Sequence, residues 1–124
     1  MEQRLAKYIS ALRAAEERSL AQIAALESEN RQDEADLEKI RRNVYGICIS
    51  HANADAAAAR SAADPAADFA RRHTRRLAAL PEPWRQRREK AAAHGDVITV
   101  TIEETKLSAI AAVQAMLAET EMKP

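Results

Sequence analysis

Apolar residues recur along the first thirty positions in alternating steps of four and three. Leu5, Ile9, Leu12, Glu16, Ser19, Ile23, Leu26 and Asn30 all fall on this repeat. Such spacing places them on one stripe of a helix, the pattern of a heptad seam. Glu16 and Ser19 break the stripe in the middle, and Leu20 widens it. Asn30 tolerates the left-handed conformation needed just past a helix end, so the first helix is predicted over about residues 2–29. A second repeat follows at Leu37, Ile40, Val44, Ile47, His51, Ala54 and Ala58, and it is the cleaner of the two. Asp33, Glu34 and Asp36 put negative charge on its first turn, which suits the helix dipole. The connection is only a few residues long, so the two helices must run antiparallel. Residues 1–63 therefore read as a long helical hairpin. Each arm is ~40 Å at 1.5 Å per residue, and helix persists to Asp64. Gly46 lies inside the second arm and marks a kink or a close approach between helices.

Residues 64–124 read as shorter helices and a closing one within the same helical domain. Asp64 followed by Pro65 is an N-cap with proline at the first helical position. Phe69, His73, Leu77 and Leu80 share a face, and Pro81 ends that helix. Pro83 opens the next, which carries Trp84 and stops at Gly95. Val97 to Ile102 is rich in β-branched residues and reads locally as strand. A lone strand has no pairing partner here, Asp96 can cap a helix, and Leu107, Ile110, Val113 or Gln114, and Leu117 repeat at helical spacing. Residues 97–120 are accordingly predicted as one helix.

Composition strengthens the all-α reading and removes several functions. Of 124 residues, 29 are alanine, two are glycine and four are proline. Alanine, Glu, Arg and Leu are strong helix formers, and so little Gly and Pro cannot supply an all-β protein with turns. No phosphate-cradling glycine loop, CxxC pair or GxSxG motif is present. The chain has no apolar run long enough for a membrane span and no signal-peptide pattern at its start. With one cysteine it forms no internal disulfide, and a cytoplasmic setting is expected.

The order Asp64-Pro65-x-x-x-Phe69, Leu80-Pro81-x-Pro83-Trp84-Arg85, His94-Gly95-Asp96 and Ile102-Glu103-Glu104-x-Lys106-Leu107 resembles a group of uncharacterised small helical proteins from anaerobic Firmicutes. The likeness covers about two thirds of the chain. It implies a helical bundle in which a long hairpin precedes a Pro-Trp-Arg helix and a final helix. It implies no reaction.

Candidate chemistry is sparse. Cys48, His51 and Asp55 stand at i, i+3 and i+7, near one face of the second helix, but a metal site needs more converging ligands than these. His51 reads better as a polar seam residue, and Cys48 as a buried thiol without an activating base. No acid, base and nucleophile converge, so the expectation is a non-enzymatic protein without metal or cofactor. Basic residues cluster at Arg71, Arg72, Arg75, Arg76, Arg85, Arg87, Arg88 and Lys90. Against Glu82 and Glu89 these eight give residues 71–90 a net charge of +6. Such a cluster can bind phosphate backbones, and a nucleic-acid accessory role is the alternative reading. The remaining chain balances it with −6, notably at Glu27, Glu29, Glu34, Asp36 and Glu38 of the hairpin tip. An internal or intersubunit charge match is expected instead, because acidic surface competes with phosphate.

Only 29 residues are apolar and larger than alanine, and they are strung along very long helices. One chain is not expected to cover both sides of arms this long. The predicted function is therefore a structural or protein-interaction module. It acts as a coiled-coil-like homodimer or higher oligomer, or docks an unknown protein partner, away from any membrane. Leu20, Tyr45, Cys48 and Ile49 beside the seams, His51 within the second seam, and Trp84 are the expected interface residues. Homodimers with two-fold symmetry are the commonest such assembly.

Overall fold

Helix formers fill every long segment, and the computed structural model, which describes residues 1–124, has five α-helices and no strand. They are α1 (Glu2–Ser28), α2 (Gln32–Ala59), α3 (Pro65–Ala79), α4 (Glu82–Ala93) and α5 (Val97–Glu119). Helices α1 and α2 pack along each other as the hairpin. Asn30 takes the left-handed conformation at φ 59° and lets the Arg31 amide donate to the Leu26 carbonyl, which seals the end of α1.

Helix α2 ends at Ala59, short of the predicted Asp64, and residues 60–64 make the turn into α3. The Asp64 carboxylate accepts from the Ala67 amide at 3.2 Å, so the predicted cap of α3 is present. Gly95, at φ 70°, closes α4 in the same way that Asn30 closes α1, with the Asp96 amide donating to the Ala91 carbonyl. The β-branched stretch 97–102 is helical. Asp96 accepts from the Thr99 amide and hydroxyl at 3.1 and 2.7 Å. The hydroxyls of Thr101 and Thr105 donate to carbonyls four residues back. Local capping and the absence of a strand partner outweigh β propensity there.

Helices α3 and α5 pack against α2, and α4 lies on α5. Nineteen buried apolar residues from all five helices and the C-terminal tail form one continuous cluster. It centres on the open end of the hairpin, where Leu5, Tyr8 and Leu12 of α1 meet Cys48, Ala52 and Ala56 of α2. Phe69 and Leu77 of α3, and Ile110 and Val113 of α5, complete it.

The buried stripes of the hairpin differ from the predicted ones by a single residue. In α1, Tyr8 and Ala15 are buried in place of Ile9 and Glu16. In α2 the buried set runs Tyr45, Cys48, Ala52, Asp55 and Ala59, each one position beyond the predicted Val44, Ile47, His51, Ala54 and Ala58. One residue rotates a helix by about 100°. Val44 alone of the predicted stripe is fully buried. The rotation has a physical origin. Asp55 finds its ionic partners on α3, and Ala52, Ala56 and Ala59 are buried with it in the shared core.

Candidate functional site

Three polar side chains meet inside the base of the hairpin. Asp55 from α2 accepts from His73 Nδ1 at 2.9 Å. It also accepts from Arg76 twice, Nε to Oδ2 at 2.9 Å and Nη2 to Oδ1 at 2.7 Å. A carboxylate can only accept, so the His73 proton sits on Nδ1. Its Nε2 then accepts from the Tyr8 hydroxyl at 2.6 Å. Phe69 stacks on the imidazole with ring centres 5.1 Å apart. The chain Tyr8–His73–Asp55–Arg76 thus ties α1, α2 and α3 together, with every central polar atom partnered.

Its electrostatics follow from burial and pairing. Burial pushes the Asp55 carboxyl up, but hydrogen bonds from Arg76 and His73 more than offset this and hold it below the usual carboxylate range. Burial lowers the His73 imidazole below its ordinary value in spite of Asp55, keeping it neutral. Burial also raises the Tyr8 hydroxyl far above its normal value. Tyr8 and His73 are both 0% exposed, and they join helices away from solvent, whereas Arg76 at the end of the chain is 39% exposed at its side chain. Its residues went unassigned in the sequence because Tyr8 and His73 are 65 positions apart. The only local signal was the placement of His73 on the apolar face of α3.

A second buried carboxylate, Glu103 on α5, is held by Arg87 Nε at 2.5 Å and Lys106 Nζ at 2.8 Å. Burial raises this carboxyl, and the two cations more than compensate, leaving it lowered. Lys106 also lies over the Trp84 ring, 5.9 Å from its centre. Trp84 is buried where α4 docks on α5.

Several expected interface residues are therefore corrected. Tyr45, Cys48 and Trp84 are buried in this chain's own core, because the one-residue rotation of α2 turns the first two inward and α4 folds the third onto α5. Burial pushes the Cys48 thiol up to about 12, and it is unreactive. Ile49 packs half-buried against the core. Leu20 is 44% exposed. His51 lines a shallow polar cleft with Glu16, Arg42 and Ile47. Gly46 also lines this cleft, and a side chain there would meet only the flexible carboxylate end of Glu16, at 3.3 Å. Cys48, His51 and Asp55 do not converge, and no group of three metal-binding side chains is assembled anywhere.

The basic segment pairs within the chain, but not with the hairpin tip. Arg71 and Arg72 meet Asp68, Arg76 meets Asp55, Arg85 meets Glu82, and Arg87 and Arg88 meet Glu103 and Glu104. Arg75 and Lys90 form no ion pair. The tip carboxylates Glu27, Glu29, Glu34, Asp36 and Glu38 instead meet Arg31, Lys39 and Arg41. Within the chain these pairs use spacings of three and four along a helix and contacts between neighbouring helices.

The rotation of α2 leaves only part of its heptad stripe open, with Val44 buried in the core and His51 half-buried. Leu37 and Ile40 are half-buried, Ile47 is 41% exposed, and Ala54 and Ala58 are exposed. Beside Leu37 and Ile40 stand Val97, Ile98 and Ile102 of α5, forming an apolar groove edged by Asp33 and Asp36. Val97 and Ile98 are 72% and 76% exposed. These two were read only as a helix start, and Ile47 as an internal seam residue. The exposed β-branched pair in the first turn of α5 was the available signal. No helix is long and apolar enough to cross a membrane. No family model matches the chain, and no curated protein or solved structure is similar to it.

Proposed function

We propose that this chain is a non-enzymatic protein-interaction module that works as a homo-oligomer through its helical hairpin. One observation carries the reading: apolar side chains at one edge of the hairpin stay open after the chain has packed, Ile47 at 41%, Val97 at 72% and Ile98 at 76% exposed, with Leu37 and Ile40 half-buried beside the last two. Exposed apolar residues scattered singly are ordinary on a protein surface. An apolar groove formed by Leu37, Ile40, Val97, Ile98 and Ile102 is more than a scatter of single residues, and such patches mark interaction surfaces. The alternative of a nucleic-acid accessory has less support, because six of the eight cations in residues 71–90 already hold carboxylates.

Light scattering coupled to size-exclusion chromatography tests the proposal. The expected mass is at least twice 13.7 kDa at tens of micromolar protein. A monomer under those conditions, with unfolding independent of protein concentration, rejects it and directs attention to a different protein as partner.

A further inference from the structure

We infer that the start of α5 packs on the start of α5 in a second copy, about a two-fold axis running along that helix. Asp33 and Asp36 of each copy then meet Lys90 of the other. The inference rests on the homo-oligomeric reading above and adds the surface and the orientation.

Val97 and Ile98 are the apolar centre of this contact. They are β-branched, lie in the first turn of α5 and are 72% and 76% exposed, more than any other large apolar side chain. Capping gives them no task, because the Asp96 carboxylate does that through Thr99. They stand beside Leu37, Ile40 and Ile102 in one apolar groove.

Charge decides what occupies it. Helix α5 packs against both α2 and α4. On the α2 side, Asp33 and Asp36 edge the groove. On the α4 side, Arg87, Lys90 and His94 line a second hollow with Asp96 and Thr99. At about 100° per residue, Val97 and Ile98 look away from the side of α5 that bears Thr99. The outer surface therefore runs from acid through apolar to base across three neighbouring helices. Asp33 and Lys90 are exposed, and neither has an ionic partner in its own chain. Asp36 meets one cation, Lys39, at 3.8 Å. Glu89 precedes Lys90 but does not line the hollow.

A surface graded in this way is its own complement. A two-fold axis along α5 turns the acidic edge of one copy onto the basic edge of the other, twice, with the four β-branched side chains between them. Glu104, further along the same face, is already held by Arg88 at 3.0 Å. An axis across the helices would set acid on acid and base on base, so the two α5 helices run parallel.

Reversing one charge at a time in the full chain tests the arrangement. Asp33→Lys and Lys90→Glu are each checked for unchanged helical circular dichroism, then followed by analytical ultracentrifugation at tens of micromolar. Either variant alone sets like charges together at both contacts, and is expected to dimerise at least about tenfold more weakly than the parent chain. In an equimolar mixture both contacts again join opposite charges, and association is expected to return. Ile98→Gln alters a side chain already 76% exposed, so the fold should persist while the dimer weakens by a similar factor. A mixture no tighter than its components overturns the proposal, and so does a dimer indifferent to Ile98→Gln. Either result, with the parent chain dimeric, leaves the homo-oligomer standing with its contact elsewhere. A monomeric parent chain overturns both readings and leaves the groove to a different protein.

Discussion

The base and the tip of the hairpin are made of the same two helices, yet they are held by different forces. At the base, Leu5, Tyr8 and Leu12 join a core to which all five helices contribute. Asp55, His73 and Tyr8 are locked there by hydrogen bonds of 2.6 to 2.9 Å. At the tip, Ile23, Leu26 and Ala35 are buried but lie outside that core cluster. Ser19 donating to Glu38 at 2.9 Å is the polar link there, and exposed ion pairs do the rest. Exposed pairs contribute little, typically ~0–1 kcal/mol. The difference teaches that a continuous helix need not be uniformly stable, and that tertiary neighbours decide where its stability resides.

The sharpest way to break this contrast is to remove the ionic centre of the base. Asp55→Ala leaves Arg76 and the buried His73 without their acceptor and should cost ~3–5 kcal/mol, the range for losing one partner of a buried pair. Chemical denaturation followed by circular dichroism measures it, and a loss below about 1 kcal/mol would show the cluster to be dispensable. Leucine truncation compares the two ends directly. Leu12→Ala, in the shared core, is expected toward the upper end of the ~2–5 kcal/mol range for buried leucine, and Leu26→Ala toward the lower end. Equal losses would contradict a graded hairpin. Native-state hydrogen exchange should agree, with amides near Leu26 opening more readily than those near Leu12.

Acid should reach the base before the tip. The folded chain holds His73 below its unfolded value, so the unfolded state takes up the proton first. That part of the stability is complete above about pH 6.5 and declines as the pH falls below it. Asp55 is also lowered, so its contribution is present above about pH 4 and is lost on further acidification. Both act in the same direction. The buried residues of the tip, Ser19, Ile23, Leu26 and Ala35, include no ionisable group. Melting temperatures measured from pH 8 down to pH 4 should fall, and His73→Phe should flatten the upper part of that slope. The smallest effect belongs to the start of α3. Asp64→Ala removes the cap on Ala67 and should cost ~1 kcal/mol, read from the same denaturation curves.

What the sequence made legible was whatever local chemistry decides. Asp64-Pro65, Gly95 and Asn30 act within a few residues of themselves, and the helix boundaries that they mark agree closely with the structure. The end of α2 was misjudged because alanines alone carry no stop signal. The rotation of α2 was hidden for a different reason. The stripe with Ile and Leu attracts the eye, while the buried one reads Tyr, Cys, Ala, Asp and Ala. Nothing near Asp55 announces that its cations stand on α3, 18 and 21 residues further on. The same distance hid the Tyr8–His73 bond, so the polar cluster emerged only in three dimensions.

That bond also sets a timetable for folding. Helices α1 and α2 are neighbours in sequence and can zip together as soon as both exist, since contacts close in the chain form quickly. Tyr8 and His73 are 65 residues apart, and Asp55 gains both of its partners only from α3. During synthesis from the N-terminus, the hairpin emerges while Asp55 still needs water to keep its charge. Without α3, Asp55 has neither Arg76 nor His73 beside it, so burial of the hairpin base depends on a helix that lies outside the hairpin.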